Sequence, residues 1–208
     1  MRMAAGSVGA ASAAKRYRLA TSAIAPEGAP TGRRGAVFVG AASAAINCAA
    51  RNRTVVAERP RGTRLRAGRA SIIGQMYSVT AVTQDRQCYF SDGRLARVVV
   101  RAFRGLVEDG LADSHAFVVM PDHFHWLVTL RGGTLSALMA RAKGRSARQI
   151  NLLLGRSGAQ VWQPGFHDHA LRRDEDVREI ARYIVANPLR AGLVRAIGDY
   201  PWWDAEWL

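Results

Sequence analysis

The chain has few cysteines and no long apolar run. Its 208 residues contain two cysteines, Cys48 and Cys88, whose spacing matches no zinc-binding motif. Two cysteines make no disulfide framework, so we expect both to be ordinary thiols. No stretch of about 18 or more apolar residues occurs, so the sequence predicts no transmembrane helix and no membrane partner.

Acidic and aromatic residues are scarce in the first third of the chain. Residues 1–70 contain 13 basic residues (Lys and Arg) and 2 acidic residues (Asp and Glu). Residues 71–208 contain 17 basic and 14 acidic residues. Most of the net charge of +14 therefore lies in residues 1–70. Residues 1–60 also contain no Trp, one Tyr and one Phe. Such a composition buries too little apolar surface to offset the entropy of ordering. We therefore expect residues 1–61 to be a disordered basic extension of one domain at residues 62–208.

Three origins of this extension stay open. It could be a basic tail that adds nonspecific DNA affinity, a targeting segment, or upstream sequence translated from a wrongly placed start. The abrupt change of composition near residue 62 favours the last of these.

Hydrophobic periodicity predicts short strands alternating with long helices in the remaining domain. The order is strand, helix, strand, strand, helix, strand, helix. This order suits a ferredoxin-like α+β fold, in which helices cover one face of an antiparallel sheet. The aromatic tail at 200–207 is expected to pack back onto the domain. The predicted strands are 75–83, 115–120, 123–130 and 169–172, and the predicted helices are 92–109, 135–154 and 174–186.

Two histidines one residue apart, His123 and His125, lie in the apolar segment 117–130. Residues i and i+2 of a strand point to the same face, so both imidazoles project together. Two imidazoles on one side supply two of the three protein ligands of a divalent metal site. The pair alone is a weak motif, and it predicts a metal only together with a third ligand.

Tyr183 and Asn187 are four residues apart on the last predicted helix and therefore share one of its faces. A tyrosine can act as a covalent nucleophile. The amide oxygen of Asn187 is a hard ligand suited to Mg²⁺ or Mn²⁺. Taken singly, each residue also fits an ordinary structural role, such as packing for the tyrosine or helix termination for an Asn before a proline.

Four blocks of sequence occur in an order that resembles a known family. They are Tyr-Ser-Val-Thr at 77–80, Phe-Val-Val-Met-Pro-Asp-His-Phe-His-Trp-Leu-Val at 117–128, Trp-Gln-Pro-Gly-Phe-His-Asp-His-Ala-Leu-Arg at 162–172, and Ala-Arg-Tyr-Ile-Val-Ala-Asn-Pro-Leu-Arg-Ala-Gly-Leu-Val at 181–194. Together they resemble the single-tyrosine HUH transposases, in particular the REP-associated tyrosine transposases. The resemblance covers about residues 63–208.

The resemblance implies a site and an activity. His123 and His125 would be the metal-binding pair, Asn187 the third ligand and Tyr183 the nucleophile. A divalent metal, Mg²⁺ or Mn²⁺, would assist the nicking and rejoining of single-stranded or hairpin DNA through a 5′-phosphotyrosine intermediate. The family also implies a ferredoxin-like fold and a cytoplasmic protein associated with the nucleoid, with a homodimer left open.

Clusters of basic residues are candidate DNA contacts. Each phosphate contact made by Lys or Arg steepens the salt dependence of binding. A solvated helix face is the competing explanation for the first cluster. The candidates are Arg141, Lys143, Arg145 and Arg148 on the helix after the histidine strand, with Arg172 and Arg190 near the proposed nucleophile.

Other functions fit parts of the pattern. A DNA-hairpin-binding protein of the same fold could have no catalytic activity. A metal-dependent hydrolase of small substrates would need further Asp or His ligands and leaves Tyr183 and Asn187 unexplained. Relaxases and replication initiators share the two-histidine chemistry, but their chains are usually longer and carry additional domains.

Overall fold

A five-stranded antiparallel sheet is the centre of the fold. The structure is a computed structural model that describes residues 71–207, so the predicted extension at 1–61 and the boundary near residue 62 lie outside the described residues. The strand order is β4-β1-β3-β2-β5, which places β3 in the middle. Every pair of neighbouring strands is antiparallel, as predicted. The strands are β1 Met76–Val82, β2 Ala112–Met120, β3 His123–Leu130, β4 His167–Ala170 and β5 Trp203–Ala205.

Three of the helices begin at a side chain that caps their free backbone N–H groups. Asp92 accepts a hydrogen bond from the amide of Arg94, and Thr134 accepts one from that of Ala137. Asp176 accepts from two amides of the third helix. An oxygen at this position satisfies donors that the helix itself leaves unpaired. The helices are α1 Gly93–Glu108, α2 Leu135–Leu153, α3 Val177–Val185 and α4 Asn187–Arg190.

Helices α1 and α2 cover one face of the sheet, as predicted, and Leu138 of α2 lies in the same buried cluster as Phe103 of α1. Phe103 of α1 stacks on Trp126 of β3, with ring centroids 4.3 Å apart, and meets Phe117 and Phe124 edge to face. Such offset and edge contacts are favoured by the ring quadrupoles. We call this first core the α1/α2 core.

Helix α3 lies on the opposite face, so the prediction that the helices share one face is wrong for this helix. Ala181 and Ile184 of α3 pack against Val118 of β2 and Leu127 of β3. Strand β2 is buried at every position from Ala116 to Met120, and such an uninterrupted apolar run requires cover on both faces. We call this second core the α3 core.

The structure differs from the predicted elements in three further details. Strand β4 begins at His167, earlier than predicted, because its register pairs His167 with Thr80 of β1. The helical turn α4 contains Pro188, which was expected to end the helix, because proline fits the first turn, where its missing N–H is not needed. The tail packs back as predicted, and its residues 203–205 form the additional strand β5 against β2.

The sequence led to one expectation about membrane-spanning helices and one about the cysteines, and their outcomes differ. No helix of the described residues is long and apolar enough to cross a membrane. Cys88 is disulfide-bonded, so the expectation of an ordinary thiol is wrong at this position. Cys48 lies outside the described residues.

Candidate functional site

The two histidines of β3 project from the face of the sheet that carries α3. Phe124 and Trp126 point into the α1/α2 core, whereas Leu127 belongs to the α3 core. By the alternation of a strand, His123 and His125 lie on the same side as Leu127. Their ring centroids are 4.9 Å apart and the ring planes are nearly perpendicular, at 88°. The prediction that both imidazoles share one face is therefore confirmed.

Each imidazole has its Nδ1 atom engaged by a neighbouring side chain. Nδ1 of His123 lies 2.6 Å from a carboxylate oxygen of Asp122, to which its N–H donates. Nδ1 of His125 lies 2.8 Å from the hydroxyl oxygen of Thr80. When Nδ1–H donates to such a partner, Nε2 carries the lone pair that can bind an ion.

Burial and neighbouring charge set the protonation of this pair. Burial, and to a lesser extent the charge of His123, lowers the pKa of His125 to about 4 against the opposing effect of Asp122. His125 is therefore neutral at neutral pH, the state that a metal ligand requires. Burial alone would raise the pKa of Asp122, but hydrogen bonds and charges from His123 and Arg86 outweigh it and hold that pKa below its usual value.

Asp122 is itself held in place from two directions. Its carboxylate forms an ion pair with Arg86 at 3.1 Å. Its backbone carbonyl accepts hydrogen bonds from the amide and the hydroxyl of Thr83, at 2.8 and 2.9 Å. Asp85 and Arg86 both have φ of 52°, a left-handed conformation that costs non-glycine residues energy. The strained turn is thus part of the support of His123.

Tyr183 lies on the solvent side of α3. Its side chain is 54% exposed, while Ala181, Ile184 and Val185 of the same helix are buried. The guanidinium carbon of Arg190 lies 4.1 Å from the centroid of the tyrosine ring. Since α3 packs on the sheet face that carries the histidines, the fold brings the candidate nucleophile and the candidate metal ligands to one side of the sheet.

Asn187 is the first residue of α4 and has its amide nitrogen anchored. Nδ2 donates to the carbonyl oxygens of Tyr183 and Ile184, at 3.1 and 2.9 Å. These two acceptors identify the nitrogen end of the amide and leave Oδ1 as the atom available to an ion.

The imidazole nitrogens of His123 and His125 and the amide oxygen of Asn187 are of types that suit a divalent cation with mixed nitrogen and oxygen ligands. Within residues 71–207 no group of three or more His, Cys, Asp or Glu side chains could hold a metal ion. A metal at the histidine pair therefore needs a ligand of another type. The amide oxygen of Asn187 is of the type that Mg²⁺ and Mn²⁺ accept.

The predicted DNA-binding residues do not gather at one place. Helix α2 packs on the far face of the sheet from the histidine pair, together with Arg141, Lys143, Arg145 and Arg148. Lys143 donates to the carbonyls of Gln163 and Gly165, both at 2.6 Å, and Arg145 forms an ion pair with Asp109 at 2.6 Å. Arg141 and Arg148 are exposed on the same helix. Arg172, in the loop before α3, is also exposed, and Arg190 lies beside Tyr183.

Sequence reasoning missed the two side chains that orient the imidazoles. Asp122 directly precedes the first histidine, so its position next to the site could have been read from the sequence. Thr80 could have been found from the alternation of β1, in which Tyr77, Val79 and Ala81 face the α1/α2 core and Thr80 the other side. Its pairing with His125 depends on the register between two strands, which the sequence does not give.

The chain is similar to a family of known proteins. Residues 71–187 match the family model described as transposase, IS200-like. A REP-associated tyrosine transposase of Escherichia coli is 33% identical over 89 residues, which is 42% of this chain and 50% of the relative. A candidate REP-associated tyrosine transposase of Haemophilus influenzae is 28% identical over 140 residues, covering 62% of this chain and 78% of that protein.

A solved structure is also similar. It is a REP-associated tyrosine transposase bound to a REP hairpin, with a TM-score of 0.54 and 26% identity over 65% of this chain and 79% of that one. The chain thus matches half the length of its Escherichia coli relative and a larger part of the solved structure. These relatives confirm the resemblance to the REP-associated branch.

Proposed function

Because the chain belongs to the family of IS200-like transposases, we propose that it cleaves and rejoins DNA strands through a covalent bond to Tyr183. One observation carries this proposal. The exposed tyrosine of α3 and the two histidines of β3 occupy the same side of the sheet, as a nucleophile and a phosphate-activating pair must.

The proposed reaction is a transesterification at a phosphodiester. The hydroxyl oxygen of Tyr183 attacks phosphorus, an O–P bond forms, and the bond between phosphorus and the 3′ oxygen breaks. The tyrosine loses its proton and the departing 3′ oxygen gains one, which leaves a 5′-phosphotyrosine and a free 3′-hydroxyl. A 3′-hydroxyl can reverse the step and join strands, and because one ester replaces another no nucleotide cofactor is required.

His123, His125 and Asn187 would hold the divalent cation. Nε2 of each imidazole and Oδ1 of the amide are the atoms left available by the contacts within the protein. A bound Mg²⁺ or Mn²⁺ would supply positive charge that polarises the scissile phosphate and stabilises charge on its non-bridging oxygens. Asp122 and Thr80 keep the two rings oriented, and the neutral state of His125 keeps its lone pair free.

Single-stranded or hairpin DNA is the proposed substrate. The related solved structure holds a REP hairpin, and exposed arginines at 141, 148 and 172 of this chain could contact phosphates. Arg141 and Arg148 lie across the sheet from Tyr183, so they would serve a duplex stem or flanking strand rather than the scissile phosphate.

Trapping of the covalent intermediate tests the proposal. The protein is incubated with 5′-labelled and 3′-labelled single-stranded hairpin oligonucleotides in Mn²⁺ or Mg²⁺, and adducts are resolved under denaturing conditions. We expect an adduct with the wild type that disappears in Tyr183→Phe, while hairpin affinity changes less than about twofold. Replacement of both His123 and His125 by Ala is expected to abolish the adduct and retain hairpin binding.

Two results would contradict the proposal. An adduct that persists in Tyr183→Phe would show that another residue is the nucleophile. Hairpin binding by the wild type with no adduct in either metal would instead favour a binding protein without catalytic activity.

A further inference from the structure

We propose that Arg190 is a positioning residue, whose guanidinium holds the ring of Tyr183 in the orientation from which its hydroxyl attacks. The inference rests on the proposed function and deepens it. It gives Arg190 a role different from the direct DNA contact that the sequence suggested.

The contact between the two side chains is close. The guanidinium carbon lies 4.1 Å from the ring centroid, well inside the roughly 6 Å at which a cation and an aromatic face attract each other. Arg190 can hold this place because α4 turns back directly after α3. Its amide donates to the carbonyl of Ala186, the residue that follows α3, and Asn187 fixes the same corner through two hydrogen bonds to that helix.

Tyr183 needs such support because little else restrains it. Its side chain is 54% exposed, and no described residue forms a hydrogen bond with its hydroxyl. A tyrosine ring on the outside of a short helix can exchange between rotamers. Productive attack requires the reacting atoms about 3–3.5 Å apart, and a misplacement of about 1 Å can cost on the order of 100-fold in rate.

The surroundings of Arg190 in the described part of the chain differ from those of a typical surface arginine. Within the described residues no carboxylate forms an ion pair with it. Among residues 71–207 the contact recorded for its guanidinium is therefore the ring of Tyr183. A guanidinium in this place restrains the ring by stacking as well as by charge, which an ammonium reproduces only in part.

The test separates positioning from DNA contact. Arg190→Gln is compared with wild type for the single-turnover rate of adduct formation and for hairpin affinity at several salt concentrations. We expect the rate at saturating DNA to fall about 10- to 100-fold, with affinity and its salt dependence unchanged. Arg190→Lys should restore part of the rate, because a lysine retains the cation. Arg178→Gln is the control. It removes one positive charge from the neighbouring helix α3 and should leave the rate unchanged.

A spectroscopic measurement tests the contact without activity. The ring of Tyr183 should shift the Nε–H resonance of Arg190 upfield in the nuclear magnetic resonance spectrum, and Tyr183→Leu should abolish this shift. An unshifted resonance in the wild type would overturn the inference.

The kinetic outcomes separate the two proposals. A rate unchanged in Arg190→Gln overturns the positioning role alone. So does weaker binding with a salt slope reduced by about 1, since that result marks a phosphate contact. No adduct in the wild type overturns the proposed function and the positioning role with it.

Discussion

Single side chains next to the histidines determine how their rings can be used. An imidazole on a strand can rotate, and its two nitrogens are not equivalent to an approaching ion. The carboxylate of Asp122 fixes the ring of His123 at 2.6 Å, and the hydroxyl of Thr80 does so for His125 at 2.8 Å. Partners of this kind orient the ring and raise its basicity as a ligand.

Replacement of Asp122 by Ala tests this support. The variant leaves His123 in place but removes the acceptor of its Nδ1–H, so we expect Mn²⁺ affinity to fall about 10- to 100-fold. Isothermal titration calorimetry on the folded variant measures the change, with circular dichroism to check the fold. Asp113→Ala is the control, because Asp113 pairs with Arg131 at the other end of β2. Equal affinities of wild type and Asp122→Ala would rule out the role.

At the scale of single residues, the sequence predicts which residues form the candidate site better than it predicts the contacts that those residues make. The spacing of His123 and His125 and that of Tyr183 and Asn187 are local, so helix and strand geometry alone assigns each pair a common face. The partners Thr80 and Arg86 come from other parts of the chain. Their contacts depend on strand register and on a turn with two left-handed residues, which no local pattern encodes.

Within helix α2, basic residues that look alike in the sequence have different surroundings. Lys143 is half-buried and its ammonium donates to two loop carbonyls, whereas Arg148 is exposed. A buried carbonyl that loses its donor costs about 1–3 kcal/mol. Lys143 therefore joins α2 to the loop at 163–165 that precedes β4, a structural task that the clustering of charge did not predict.

Lys143→Met should consequently destabilise the protein. We expect the free energy of unfolding to fall by about 1–3 kcal/mol, which lowers the melting temperature by several degrees. Differential scanning calorimetry measures this shift. Arg148→Met, an exposed change on the same helix, should stay within about 0.5 kcal/mol of wild type. If the two variants melt alike, the hydrogen bonds of the ammonium contribute nothing to stability.

At the scale of the whole fold formed by residues 71–207, the sheet separates two cores of unequal size. The α1/α2 core contains the stacked aromatic side chains, and two long helices cover it. The α3 core depends on a nine-residue helix and on the C-terminal tail, including Trp203, whose indole N–H donates to the carbonyl of Ile197. Local opening requires less free energy where fewer buried contacts must break. The helix that carries Tyr183 is therefore expected to open before the rest.

Trp203→Ala tests this distribution of stability. Truncation of the half-buried indole should cost less than the roughly 3–5 kcal/mol of a fully buried one and should speed amide hydrogen exchange in α3. Trp202→Ala is a matched control, since the adjacent tryptophan packs on the α1/α2 core and should leave exchange in α3 unchanged. Exchange that rises equally in α1, α2 and α3 would show one cooperative unit instead.

The fold class followed from element order, but the placement of α3 did not. Periodicity shows which stripe of a helix is apolar, and it does not show which face of a sheet the stripe meets. The run of buried residues in β2 was the available signal, because a strand that is apolar at consecutive positions has two faces to cover.

The central position of β3 ties the existence of the site to correct strand pairing. The strand is paired along both edges, with His125 opposite Thr80 on one side and Val118 on the other. A slip of one residue would turn both imidazoles into the aromatic core and bring Phe124 and Trp126 to the face that carries α3. A misassembled sheet therefore has no partial site, and the proposed cleavage of DNA would require a chain whose folding is already complete.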